Sequence, residues 1–167
     1  MSRYRPPQAP ASPYITAAGY RTLQLELQHL WQRRAEVTQA LAAAAAEGDR
    51  SENAEYIYRK KELREIDRRI RYLQKRLPEL SVVDQPPADR EGVFFGAWVT
   101  LIDDHNTAFL YRIVGSDEIG HHPGYISLDA PLARALLKKR VGDDICVETP
   151  QGSKQYCIDI VNYDNTP

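Results

Sequence analysis

The chain has 167 residues, a net charge of −1, 43% hydrophobic and 27% charged residues, which is the composition of a soluble globular protein of one or two small domains. No apolar run approaches the roughly 20 residues that cross a bilayer, so we expect no association with membranes. Its two cysteines, Cys146 and Cys157, are too few for a disulfide framework or a zinc site, and the expected compartment is therefore a reducing cytoplasm.

Residues 1–13 form a proline-rich segment, with Pro6, Pro7, Pro10 and Pro13. Proline lacks a backbone N–H and disrupts regular elements, and the apolar core of a signal peptide is missing. We expect a disordered tail.

Residues 14–78 carry two series of positions with the heptad spacing of a helix seam, each with one arginine among apolar residues. The first series is Leu23, Leu27, Leu30, Arg34, Val37, Leu41 and Ala44. The second series is Tyr56, Arg59, Leu63, Ile66, Ile70, Leu73 and Leu77. Gly48 separates the two helices and Pro78 ends the second. The spacing predicts an antiparallel coiled-coil hairpin whose tip is formed by residues 47–53.

Residues 79–91 have the composition of a linker, and residues 92–164 alternate with the period of strands. The second domain is expected to be a small antiparallel sheet with one helix, which makes the whole chain an α+β protein. The predicted strands are Phe94–Ile102, Ala108–Gly115, Tyr125–Leu128, Ile145–Thr149 and Gln155–Tyr163. A helix is expected from Pro131 to Lys139, because proline suits a first helical position.

The two cysteines fall in the last predicted hairpin. A two-residue turn at Gln151 and Gly152 would place Cys146 opposite Cys157 on the paired strands. Two reduced cysteines packed as small hydrophobic residues, or a redox-active pair, would both fit this arrangement.

Two acidic residues, Asp49 and Glu52, lie three residues apart at the predicted tip. Such a pair can supply oxygen ligands to a divalent cation or orient a water molecule, although two ligands need others from a partner. The same spacing also fits a helix cap, with Asp49 as N-cap and Glu52 completing a capping box. Spacing alone leaves both interpretations open.

The second helix carries a basic stripe, defined by five residues that recur every three or four positions opposite the seam: Lys61, Arg64, Arg68, Arg71 and Lys75. Lys60, Arg69 and Arg76 flank it. Residues 59–76 contain nine Lys or Arg and three Asp or Glu, so the stripe favours contact with phosphates. A solvated helix surface is the alternative, although such surfaces usually mix both signs of charge.

The sequence contains no phosphate-cradling glycine loop, nucleophile elbow or cysteine metal knuckle. We therefore do not expect a self-contained enzyme.

Four segments carry a resemblance to the Gre transcript cleavage factors. The tip, Gly48-Asp49-Arg50-Ser51-Glu52-Asn53-Ala54-Glu55-Tyr56, resembles the tip motif of that family. The basic stretch from Lys60 to Leu73 and the residue Arg50 resemble the GreB branch. The resemblance resumes at Val93–Val99 and at Tyr125–Leu137, and covers nearly the whole chain.

The resemblance implies a coiled coil that enters the secondary channel of bacterial RNA polymerase and an FKBP-like domain that docks at its entrance. It implies that Asp49 and Glu52 are the catalytic acids, which share a magnesium ion (Mg2+) with the polymerase's own active site. The nascent RNA 3′ end would lie on the basic residues Lys60, Lys61, Arg64, Arg68, Arg69, Arg71 and Lys75.

The resemblance also implies that Asp129 and Pro131 contact the polymerase, and Ala130 stands where the family usually has serine. The expected function is stimulation of the polymerase's cleavage of backtracked RNA, by a factor that is expected to be a monomer. The alternatives are a non-catalytic secondary-channel binder that modulates or inhibits transcription, and a free-standing RNA chaperone that uses only the basic stripe.

Overall fold

A computed structural model describes residues 9–47 and 53–164. The chain divides into two compact units. One unit is Ala18–Leu80, and the other combines Met1–Ala17 with Ser81–Pro167. The helical unit predicted at residues 14–78 therefore begins at Ala18 and ends at Leu80 in the structure. The predicted linker at residues 79–91 falls partly in each unit.

The helical unit contains α1 (Ala17–Ala46) and α2 (Ala54–Arg76). A short 3-10 turn, Leu77–Glu79, follows α2. All seven predicted seam positions of each helix are buried or half-buried, as two facing heptad stripes require. Near the middle of the seam, Val37 packs with Ile66 and Ile70. The predicted coiled-coil hairpin is confirmed. Neither helix is long and apolar enough, over the described residues, to cross a membrane.

The second unit is built on a five-stranded sheet and a two-stranded sheet. The strands are β1 (Tyr14–Thr16), β2 (Ser81–Val83), β3 (Trp98–Asp103), β4 (Ala108–Val114), β5 (Tyr125–Ser127), β6 (Asp144–Thr149) and β7 (Gly152–Asn162). The larger sheet has the order β5-β4-β3-β7-β6. Its strands pair antiparallel except for β4 and β5, which run parallel.

A helix, α3 (Pro131–Leu136), covers one face of the larger sheet. The buried core between them contains Val93, Ala97, Val99, Leu101, Ile113, Ala133, Leu136, Ile145, Val147 and Ile158. The predicted α+β class, with a helical hairpin followed by a mostly antiparallel sheet and one helix, is therefore confirmed.

Two predicted elements are each three residues shorter than expected. Strand β3 starts at Trp98 because the chain turns before it, with Gly96 at a φ of +86° and Ala97 N donating to Phe94 O. Helix α3 ends at Leu136 because Lys138 adopts a φ of +66° and its N–H bonds Val93 O. Neither a strand nor a right-handed helix accommodates a positive φ.

The predicted pairing of the two cysteines is wrong. The hairpin turns at Pro150 and Gln151, since Thr149 pairs with Gly152, so the register is shifted by two residues. Cys146 lies opposite Gln155, and Cys157 lies opposite Asp144. Both cysteines are free thiols. Burial, reinforced by the Asp144 carboxylate, raises the pKa of the Cys157 thiol, which favours the protonated form.

The N-terminal segment is attached to the sheet unit rather than to the hairpin. Strand β1 pairs in parallel with β2, and Ser81 N donates to Pro13 O at 2.7 Å. The buried Glu118 accepts hydrogen bonds from Thr16 N at 3.1 Å and Gly115 N at 2.8 Å, and also from Thr16 Oγ1. The predicted disordered tail therefore does not extend to Pro13, and the predicted linker contains strand β2.

Candidate functional site

Among the described residues, the side chain of Asn53 links the two helices at the tip of the hairpin. Asn53 is the N-cap of α2, where its Oδ1 accepts from Tyr56 N at 3.1 Å. Its Nδ2 also donates to Ala44 O at 2.9 Å, a carbonyl in the last turn of α1 that also accepts from Glu47 N at 3.3 Å. Asn53 therefore bonds one backbone group at the end of each helix and links the two ends.

The predicted capping role of Asp49 and Glu52 is wrong for α2. The helix starts at Ala54 with Asn53 as its N-cap, so both acidic residues precede the cap, and a capping-box glutamate would have to follow it. Asp49 and Glu52 lie outside the described residues. Their role in catalysis or metal binding stays a prediction. Within the described residues no group of three or more His, Cys, Asp or Glu side chains could hold a metal ion.

Ion pairs join the two helices on one side of the seam. Arg69 donates to Glu26 with Nε at 2.6 Å and Nη2 at 3.0 Å, and one heptad away Arg33 pairs with Glu62 at 2.6 Å. These residues flank the seam at equivalent heptad positions, where antiparallel coiled coils place facing charges. Two of the acidic residues of the helices are thereby neutralised internally.

The polar seam positions are paired as well. Arg34 donates to Asp67 at 2.7 Å, and Arg59 bonds both Glu55 and Glu62. Burial of the Glu62 carboxyl opposes its ionisation, but hydrogen bonds from Arg33 and Arg59 outweigh this and hold the pKa of Glu62 below its usual value. Glu62 and Asp67, two of the acidic residues beside the basic stripe, are therefore engaged by arginines within the hairpin.

The basic stripe itself is exposed along its whole length. Among the described residues, its five members make no ion pair, although Arg71 Nε donates to the backbone oxygen of Asp67 at 3.3 Å. With Glu62 and Asp67 already paired, this face of α2 carries unbalanced positive charge. Such a surface attracts a polyanion.

The flanking residues differ from the stripe. Lys60 is exposed and its Nζ lies 5.7 Å from the centre of the Tyr56 ring, whereas the guanidinium of Arg69 is engaged by Glu26. Arg76 lies within 4.0 Å of Glu79. The set assigned to RNA from the sequence therefore contains one residue, Arg69, that also stabilises the hairpin.

Two exposed apolar residues near the tip were missed by reasoning from charge. Ile57 continues the spacing of the basic stripe toward the tip and is 55% exposed, and the adjacent Tyr58 is 60% exposed, with its ring 5.5 Å from the Arg59 guanidinium. The spacing of Ile57 relative to Lys61 and Arg64 indicates, already in the sequence, that Ile57 lies on the same face of α2 as the basic stripe. The stripe thus changes from charged to apolar close to the tip.

The two residues assigned to partner docking lie in the loop before α3. Asp129 is half-buried, and Pro131 is exposed at the first position of α3. Ala130, at the N-cap of α3, makes no side-chain cap bond, as expected where alanine replaces serine. Asp129 is bonded by Ser12 of the N-terminal segment.

Comparisons with known proteins identify the family. Residues 13–82 match the family model "Transcription elongation factor, N-terminal", and residues 88–163 match "Transcription elongation factor, GreA/GreB, C-term". The chain is 56% identical over 165 residues to transcription elongation factor GreB of Xanthomonas axonopodis pv. citri, covering 98% of each chain. It is 52% identical over 168 residues to GreB of Pseudomonas aeruginosa, covering 100% of each.

Solved structures of related proteins also match. GreA factor homolog 1 of Thermus thermophilus is 25% identical, with 89% of this chain and 97% of that chain covered and a TM-score of 0.41. The matches of both family models and of the curated relatives extend over nearly the whole sequence. The chain therefore belongs to the GreA/GreB family of transcription elongation factors and is of the GreB type.

Proposed function

We propose that this elongation factor binds bacterial RNA polymerase in the cytoplasm, enters its secondary channel with the helical hairpin, and stimulates cleavage of backtracked RNA. The observation that carries the proposal is at the tip. Because α2 begins at Ala54 with Asn53 as its N-cap, the N-cap position of α2 is not taken by Asp49 or Glu52. This supports a role of the two acidic residues toward a partner.

The factor would contribute side chains to an active site that belongs to the polymerase. Asp49 and Glu52 offer the carboxylate oxygens that magnesium prefers, and two such residues are too few to bind the ion alone. A shared magnesium ion would supply Lewis-acid stabilisation for phosphodiester hydrolysis. The role of Asp49 and Glu52 is to hold oxygen ligands at that position and to orient the attacking water.

The basic stripe would hold the extruded RNA 3′ segment. Arg64 and Arg68 are exposed and free of ion pairs among the described residues, so they can contact phosphates without breaking internal bonds. Contacts of this kind add affinity without reading sequence. The RNA is thereby held along α2, which leads to the tip.

The test is cleavage of RNA in stalled polymerase complexes by the variants Asp49→Asn and Glu52→Gln. Both substitutions keep side-chain size and remove the charge that a cation requires, so we expect stimulation to fall at least about a hundredfold. Binding to the polymerase should remain, because the tip is only one part of the interface.

Glu65→Gln is the matched control, since Glu65 is an exposed carboxylate on α2 and should be silent. Unchanged cleavage by Asp49→Asn would contradict the proposal. Inhibition of polymerase by the unmodified factor without any cleavage would instead favour a non-catalytic channel binder.

A further inference from the structure

Two tyrosine side chains of α2 are exposed beside the basic stripe. Tyr58 is 60% exposed and Tyr72 is 44% exposed, and the two residues lie two heptads apart at the same heptad position. At ~1.5 Å per residue they are separated by about 21 Å along the helix axis. Each ring is a large, flat apolar surface with a polar edge. This side of α2 therefore presents two separate aromatic surfaces to solvent.

Each of these tyrosines lies next to members of the basic stripe. Residues three or four positions apart on a helix are neighbours, so Tyr58 adjoins Lys61, and Tyr72 adjoins both Arg68 and Lys75. Within the part of the chain that the structure describes, these three cations make no ion pair. Cations that can bind phosphates and exposed aromatic rings therefore alternate along one side of α2.

Packing within the hairpin does not account for either ring. Neither tyrosine belongs to the apolar cluster of the seam. Instead, the guanidinium of Arg59 lies 5.5 Å from the centre of the Tyr58 ring, and that of Arg69 lies 5.2 Å from the centre of the Tyr72 ring. Carboxylates of the hairpin hold both arginines. Each ring thus rests against a cation that is already paired, and much of its surface stays exposed.

We propose that Tyr58 and Tyr72 stack on bases of the single-stranded RNA whose phosphates contact the basic stripe. This inference rests on the proposed function, because it concerns the RNA that the stripe would hold. Single strands are bound where a positively charged surface follows the backbone and aromatic rings stack on the bases, with little dependence on sequence. The bases of a duplex are already stacked on one another, so the two rings favour an unpaired strand.

The test compares the affinity of the full-length factor for two fluorescent probes of equal length and charge, an oligoadenylate and an abasic ribose-phosphate oligomer. Tyr58→Leu and Tyr72→Leu should each weaken binding of the oligoadenylate about tenfold, the size of one lost base stack. Binding of the abasic probe should not change, because that probe offers phosphates without bases. The slope of log affinity against log salt should also stay the same, since no charge is removed.

Tyr14→Leu is the matched control, because Tyr14 is 45% exposed but belongs to the sheet unit. It should bind both probes like the unmodified factor. Tyr58→Phe and Tyr72→Phe keep the ring and should also retain wild-type affinity for both probes. Circular dichroism should show the same helix content in the two leucine variants of α2, because both side chains are exposed.

Equal losses on the two probes would overturn the inference, since the tyrosines would then act through the hairpin or its cations and not on bases. Wild-type affinity of either leucine variant of α2 for the oligoadenylate would overturn it as well. Weaker binding of that variant to core polymerase would then assign the ring to a protein contact. These results leave the proposed function standing, because that function is tested by RNA cleavage with Asp49→Asn.

Discussion

Asn53 bonds both α1 and α2 at the tip. An ionised aspartate or glutamate could not make both bonds, because a carboxylate has no donor. An amide side chain offers an acceptor and a donor on separate atoms, and Asn53 uses the acceptor on α2 and the donor on α1. An aspartate would cap α2 equally well but would direct negative charge at the carbonyl end of α1, where charge of that sign is unfavourable.

This difference predicts that Asn53→Asp and Asn53→Ala have separable effects. Asn53→Ala should lower the free energy of unfolding by about 1–2 kcal/mol, because it loses the cap and the interhelical bond. Asn53→Asp should keep the cap yet reduce the maximal cleavage rate, because the ends of the tip loop are no longer linked. Urea unfolding followed by circular dichroism, together with cleavage assays, measures both. An Asn53→Asp factor with wild-type stability and activity would show that the bond to Ala44 is dispensable.

The arginines of helix α2 have two different roles, which depend on their position in the heptad. Residues flanking the seam, such as Arg69, pair across to α1, while residues opposite the seam, such as Arg68, face solvent without an ion pair among the described residues. The heptad position of an arginine therefore predicts whether it stabilises the hairpin or remains available to a ligand.

The adjacent pair Arg68 and Arg69 tests this division. Arg69→Ala should lower the free energy of unfolding by up to about 1 kcal/mol, the value of an exposed ion pair, with little change in RNA affinity. Arg68→Ala should leave stability unchanged and weaken binding to single-stranded RNA, reducing the slope of log affinity against log salt by about 0.7 for each phosphate that the variant no longer neutralises. Fluorescence anisotropy across a salt series and thermal unfolding give the two readouts. The reverse pattern, with Arg68→Ala destabilising and Arg69→Ala reducing RNA affinity, would contradict the assignment.

In the whole molecule, the order of the elements along the chain differs from their grouping into compact units. Strand β1 precedes the helical hairpin but belongs to the sheet unit that follows it. Ile15 is fully buried, and Glu118 is 1% exposed and bonded by Thr16. The hairpin is thus inserted into a unit whose first strand comes from the N-terminal segment.

Deleting residues 1–16 should therefore destabilise the sheet unit. The deletion removes a buried isoleucine and leaves a buried carboxylate short of two hydrogen bonds, and each change costs on the order of 2 kcal/mol or more. Differential scanning calorimetry should show a melting temperature lowered by several degrees or more. Deletion of residues 1–8 is the control and should be neutral. Equal melting temperatures for the two deletions would show that β1 adds nothing to the unit.

Much of the fold could be predicted because it depends on short-range periodicity. A heptad stripe needs only a facing stripe, so every predicted seam position is buried or half-buried in the structure. The outward direction of the basic stripe follows from the same periodicity. The cysteine register failed because strand pairing depends on which residues form the turn, and a shift of the turn by one position changes each cross-strand partner.

The candidate site was predictable in part for the same reason. The tip and the basic stripe were located from spacing, but the choice between capping and an available acidic pair could not be made from it. Asn53, Asp49 and Glu52 are all residues that suit a helix start, and the choice depends on where α2 begins in three dimensions.

The helical hairpin, the basic face of α2 and the class of the second domain follow from the sequence, because helix and strand periods are local properties of the chain. The choice of Asn53 as the cap, the pairing of β1 with the sheet unit and the bond between Ser12 and Asp129 depend on tertiary contacts. These features join residues distant in sequence, or select among neighbours of similar propensity. Local preference is too weak to choose between such alternatives, and packing and hydrogen bonding make the choice.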